Sequence, residues 1–255
     1  MQASLEKAAR WITQQQTILC PDQLPIASNP FSDHSVDFVV NYSGNKRLGF
    51  VYQALCKQLF EQSEQYQVVA EEIQLIANRR TLGAIDFIVQ HQSNYQHWEV
   101  AIKFYLLHDD HWYGPDSRDR LDLKLNHMLN HQLAMSATDT FKQRYPYISN
   151  ITSHLFMQGR LYINPFEQNS LPQHCLGHRI NHHSITGLWC YQHQWKQITE
   201  PLYRLDKINW IAGNVGQAER YILPNNPLQY TVHCQDQTGQ FWMIVPDNWP
   251  QIKQP

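Results

Sequence analysis

The sequence predicts an α/β (α+β) fold built on a mixed sheet, in the order helix, three strands, helix, strand, followed by a β-rich C-terminal extension. Three observations lead there. Apolar residues recur at three- and four-residue spacing over 47–62 and again over 117–133, the period of a helix with one buried stripe. Between those helices lie three stretches rich in β-branched and aromatic residues, divided only by turn-forming residues. Past residue 165 the helical period gives way to short apolar runs separated by Pro and Asn.

Residues 1–45 read as an N-terminal helix (Leu5, Ala8, Ala9, Trp11, Ile12) and a connector through Pro21, Pro25 and Pro30. The core then spans about 46–165. Leu48, Val51, Tyr52, Leu55 and Leu59 form the stripe of its first helix, ending near Gln62. Tyr66 to Ile76 is the first strand, closed by Asn78-Arg79-Arg80, and Thr81 to Gln90 is the second, with a hairpin turn at Ser93-Asn94. In the third, Trp98 to Leu107, alternation puts Val100, Ile102, Phe104 and Leu106 on one face and Glu99, Ala101 and Lys103 on the other. Ser117 is the expected N-cap of the second helix, with Asp119 and Asp122 suiting its dipole. Leu121, Leu125, Met128, Leu129 and Leu133 are its stripe, over roughly five turns. Leu155 to Ile163 is a fourth strand with Gly159 inside it. Residues 166–255 supply further strands at 185–196, 228–235 and 240–246, as a separate appendage or as additions to the main sheet.

The 255-residue chain is 42% hydrophobic and 12% aromatic, a globular composition. No apolar run approaches the roughly eighteen residues of a membrane span, so no membrane partner is expected. Met1 to Arg10 lacks a charged start followed by an apolar stretch, which leads us to expect a cytoplasmic protein. Five scattered cysteines without a Cys-x-x-Cys pair suit reduced, buried side chains. A net charge of −2 argues against a general nucleic-acid coat, but leaves room for a local basic cleft. With fourteen histidines in the chain, His127 and His131, or Cys175, His178, His182 and His183, are better explained by composition than by a zinc site.

The chemistry-bearing positions are Asp86, Glu99 and Lys103. Asp86 sits in the middle of Leu82-Gly-Ala-Ile-Asp-Phe-Ile-Val89, where an unpaired carboxylate is costly to bury. Glu99 opens the next strand, and a hairpin brings the two together. Lys103 follows on Glu99's face. Paired carboxylates that hold a hard cation, with a group that orients water, are what metal-assisted phosphodiester hydrolysis requires. Plainer assignments stand beside this one. Asp86 and Lys103 would make an interstrand ion pair, Glu99 would be exposed at a strand start, and Arg118, Arg120 and Lys124 would be the wet face of a helix.

This order of elements, with Asp on the second strand and Glu and Lys on the third, resembles the PD-(D/E)XK phosphodiesterase superfamily. Leu82-Gly-Ala-Ile-Asp86-Phe, Trp98-Glu-Val-Ala-Ile-Lys103-Phe-Tyr-Leu and Gly114-Pro-Asp-Ser-Arg-Asp-Arg-Leu-Asp-Leu-Lys-Leu125, continuing to His131-Gln132-Leu133, resemble a bacterial family of unknown function, number 1853, grouped with that superfamily. The resemblance implies a restriction-endonuclease-like core and a nuclease-like hydrolase acting on nucleic acid. Asp86 and Glu99 would hold Mg²⁺ or Mn²⁺ and Lys103 would orient water. Lys124, Gln132 and Arg120 would contact nucleic acid. The superfamily pattern puts a carboxylate two residues before the lysine, and here that residue is Ala101. Glu71 or Glu72 then supplies the missing carboxylate, or the fold serves as an inactive nucleic-acid- or protein-binding module.

Overall fold

The computed structural model describes residues 2–168 and 170–251. Helix α1 (Gln2–Gln14) and α2 (Leu48–Glu61) precede a meander of β1 (Tyr66–Ala77), β2 (Arg80–His91) and β3 (Asn94–His108). The short β4 (His111–Tyr113), α3 (Leu121–His127) and α4 (Asp139–Arg144) lead to β5 (Ile151–Ile163). A small hairpin, β6 (His174–Cys175) and β7 (His178–Arg179), is followed by β8 (Ile185–Tyr191), β9 (Leu202–Arg204), β10 (Val232–Asp236) and β11 (Phe241–Val245).

All but the small hairpin join one nine-stranded mixed sheet, ordered β1-β2-β3-β5-β8-β11-β10-β9 with β4 on β3. The pairs β1–β2 and β2–β3 are antiparallel, and β3–β5, β5–β8 and β8–β11 are parallel. The later strands therefore extend the main sheet. The Pro-rich connector does as well: Thr17 bridges to Gln158 and Ile26 to Leu155, along the stretch of β5 that β8 does not cover.

Strand alternation sorts the core. Val100, Ile102 and Phe104 of β3 pack with Phe87 and Val89 against the α1 and α2 stripes. Tyr105, Leu155, Met157 and Leu161 pack on the other side against Leu121, Leu125 and Met128 of the α3 region. Helices thus cover both faces, as a mixed sheet with buried parallel strands requires.

Three expectations need correction. Ser117 does not cap a helix. It lies at φ 59°, in a loop closed by Ser117 N–H to Gly114 O (2.8 Å) and Gly114 N–H to Asp119 O (2.7 Å), and Arg120 precedes the helix. The second core helix is also not a regular run of five turns. After His127 it widens into a π turn, Met128–Gln132, closed by Leu133 N–H to Met128 O at 2.9 Å. Finally, the hairpin turn falls on Gln92 and Ser93, with Gln92 at φ 55°.

Candidate functional site

The β2–β3 ladder runs from His91↔Asn94 to Phe87↔Trp98 and stops there. From Glu99 to Tyr105, β3 is paired on its β5 side only, until β4 takes over at Leu106. Asp86 and Glu99 stand where the two strands part. In place of ladder bonds, Val100 N–H donates to Asp86 Oδ2 (3.0 Å) and Asp86 N–H to Glu99 Oε1 (3.4 Å). Each carboxylate thus satisfies backbone that the missing pairing left open. Gly159 makes the other edge possible. It lies in register with Lys103, at φ 155°, and a Cβ there would sit 1.7 Å from the Lys103 carbonyl oxygen.

Glu99 is fully buried, which rules out the exposed assignment. His97 Nε2 lies 2.9 Å from its Oε1, Ser136 Oγ lies 2.9 Å from His97 Nδ1, and Gln132 Nε2 donates to Glu99 Oε2 at 2.7 Å. Lys124 Nζ donates to Gln132 Oε1 at 2.9 Å. A continuous polar chain therefore runs Ser136–His97–Glu99–Gln132–Lys124. Asp86 is less enclosed, and among the described residues its Oδ1 has no hydrogen bond.

Burial sets the electrostatics. It pushes Asp86 up to about 7, assisted by the charge of Glu99 and opposed by the Val100 N–H. It pushes Glu99 up to about 8, against the Asp86 N–H and the charge of Lys124. His97 is driven down to about 4 by the same burial. Burial, joined at Asp86 by the charge of Glu99, thus opposes ionisation of both carboxylates.

Lys103 is not paired with Asp86. Its Nζ donates to Asp119 Oδ2 at 2.6 Å, and Tyr105 OH donates to the same oxygen at 3.3 Å. The extended strand separates Lys103 from Glu99 by four residues, so each meets a different partner. Glu71 pairs with Lys57 of α2 and lies opposite Phe87, on the α2 face of the sheet. Glu72 lines the same groove as Tyr42 and Lys57. Neither reaches Asp86. Arg120 forms a two-pronged bond to Asp122 (2.6 Å on both arms), and its charge acts at Cys175. The site thus gathers Asp86, Glu99, Gln132 and Lys124, places Lys103 at its rim and leaves Arg120 outside.

His97, Ser136 and Asp119 are members that sequence reasoning missed. His97 had a signal: two residues before Glu99, it shares that residue's face of the strand. Nothing in the sequence marks Ser136.

A hard divalent cation fits these donors in part. Asp86 and Glu99 would offer it neighbouring carboxylates, yet among the described residues no three His, Cys, Asp or Glu side chains converge. A cation there would keep several waters, the habit of Mg²⁺ more than of a caged Ca²⁺.

A model of the family described as Domain of unknown function (DUF1853) matches residues 2–246, so the chain belongs to that family. No curated protein and no solved structure matches it.

Proposed function

We propose that this DUF1853 member is a divalent-cation-dependent phosphodiesterase of the PD-(D/E)XK type, hydrolysing nucleic acid at the parting of β2 and β3. The observation that carries the proposal is the juxtaposition of Asp86 and Glu99 there, in a setting that opposes the charge of both. The element order supports it as well. An antiparallel meander, an α3–α4 crossover and a parallel β5 are the arrangement expected of a restriction-endonuclease-like core.

Asp86 and Glu99 would hold Mg²⁺ or Mn²⁺, which when bound neutralises phosphate charge and acidifies water. The chain's own residues do the positioning. His97 and Gln132 fix both oxygens of Glu99, so its carboxylate keeps one orientation. The Val100 N–H fixes Asp86 Oδ2 and leaves Oδ1 available. Lys124 backs that arrangement through its bond to Gln132.

A second proposal, a fold that binds nucleic acid or protein without cutting, is favoured by Ala101 and by the engagement of Lys103 with Asp119. Calorimetric titration of Mg²⁺ and Mn²⁺ into wild type and Asp86→Ala separates the two. The expected result is saturable heat in wild type, lost in Asp86→Ala. A flat wild-type titration refutes the hydrolase.

A further inference from the structure

We infer that Lys124 of α3, and not Lys103 of β3, is the amine that serves the Asp86–Glu99 site, taking a proton from the attacking water. The inference rests on the hydrolase proposed above and deepens it. It starts from the disagreement between the two lysines. Lys103 occupies the expected place in the strand, but its ammonium is held by Asp119 at 2.6 Å, with Tyr105 OH on the same oxygen. Its influence does not figure among the forces on either Asp86 or Glu99. The charge of Lys124, by contrast, acts on both carboxylates. One hydrogen-bonded residue, Gln132, joins Lys124 to Glu99, through links of 2.9 and 2.7 Å.

The π turn explains how a helix residue comes to be there. In a regular α-helix, residues eight apart are about 80° out of line, since eight steps of about 100° overshoot two full turns. The wide turn at Met128–Gln132 absorbs one residue, so Gln132 falls where the seventh residue after Lys124 would stand, on the same stripe. Lys124 and Gln132 then face β3 together. This also accounts for Ala101. With the amine supplied from α3, Glu99 need not stand two residues before a strand lysine, and Ala101 occupies that place.

The groups that bear on Lys124 are Lys103, Asp119, Glu99 and Asp86, with Gln132 as its hydrogen-bond partner. Burial and the charge of Lys103 hold its amine below the ordinary lysine value, which favours the neutral form that can accept a proton. In the reaction, the water oxygen bonds to phosphorus and the P–O ester bond breaks. One water proton goes to the Lys124 nitrogen and on to solvent, and the leaving oxygen takes a proton from solvent, so water is the only co-reactant.

The test compares wild type, Lys124→Met, Lys124→Arg and Lys103→Met in two measurements: calorimetric Mg²⁺ binding, and cleavage of labelled single- and double-stranded DNA and RNA. Replacing the neutral amine removes no charge beside the two carboxylates, so Mg²⁺ binding in Lys124→Met should stay within roughly 3-fold of wild type. Cleavage should fall at least about 100-fold, the scale of a lost proton acceptor. Lys124→Arg carries a fixed charge and takes no proton, and should be as slow as Lys124→Met. Lys103→Met should stay within about 3-fold of wild type in both measurements, on the scale of a rim contact. Retained Mg²⁺ binding with slower cleavage is a split that a merely structural lysine does not produce. Cleavage lost in Lys103→Met but kept in Lys124→Met overturns the inference, as does full activity in Lys124→Arg. A wild type that binds Mg²⁺ but cuts none of the substrates refutes the Lys124 role and leaves the cation site standing. A flat wild-type titration removes both.

Discussion

At the scale of single residues, Asp86 and Glu99 work against each other and against their surroundings. Their ordinary values are 3.8 and 4.5, and the fold raises them to about 7 and 8. A carboxyl whose value is raised on folding gives stability that is complete below the unfolded value and lost as pH rises through the folded one. Without divalent cation, the pair should therefore withdraw stability from about pH 4 up to about pH 8. His97 and His154 act oppositely. Burial lowers each from 6.5 to about 4, so they remove stability as pH falls through that range. The two effects oppose each other from about pH 4 to 6.5 and the carboxyl loss alone continues above, so thermal unfolding in EDTA should show stability roughly level up to about pH 6.5 and falling from there to about pH 8; stability unchanged up to pH 9 would contradict the buried pair. Asp86→Asn removes one of the two charges, and at pH 8 in EDTA it should be more stable than wild type by roughly 1–2 kcal/mol. Asp86 was legible because a carboxylate inside an apolar strand is anomalous on its face. Glu99 was legible only through its hairpin partner. The pairing of Lys103 with Asp119 was not, because the loop from Gly114 to Asp119 folds back in a way that residue spacing does not encode.

At the scale of elements, the site depends on two irregularities. Gly159 lets β5 lie flush beside Lys103. Any side chain there meets the Lys103 carbonyl at 1.7 Å and must adopt φ 155°. Gly159→Ala should cost more than about 3 kcal/mol in urea unfolding, and a loss under 1 kcal/mol would mean that the strands can separate without consequence. The π turn is the second. Inserting one alanine beside the exposed Asn130 adds a residue that the single π turn does not absorb and swings Gln132 by about 100°, away from Lys124 and Glu99. The helix should persist by circular dichroism while Mg²⁺ binding changes, because Glu99 Oε2 has lost its donor. Unchanged Mg²⁺ affinity in that variant would show that Gln132 does not hold Glu99. The regular parts of these elements were legible from periodicity: the stripes of α2 and α3 and the alternation of β3 appear where the pattern puts them. The π turn was not, since Leu121, Leu125, Met128 and Leu133 keep an apolar stripe through it.

At the scale of the whole molecule, the question is whether residues 46–165 form a unit apart from what flanks them. The sheet argues that they do not. β5 has β3 on one side, but its other side is closed by the N-terminal connector at Thr17 and Ile26 and then by β8. Both flanking segments therefore satisfy backbone groups of a strand that also borders the site. Trp189 of β8 is fully buried, donates its indole N–H to Leu107 O (3.1 Å), and packs against Trp249 and Tyr191 at 5.0 Å. It ties the C-terminal strands to the end of β3. Two outcomes follow. A chain ending at residue 165 leaves β5 with an open parallel edge and the Leu107 carbonyl without its donor, and should be unfolded or aggregated when expressed alone. In the full chain, Trp189→Ala should cost about 3–5 kcal/mol, and the loss should appear in the whole transition. Urea unfolding followed by far-ultraviolet circular dichroism and by tryptophan fluorescence should give coincident curves with one midpoint, in wild type and in the variant alike. Two resolved transitions, the earlier one alone shifted by Trp189→Ala, would mean that the later strands are an appendage and that the site's scaffold is complete without them.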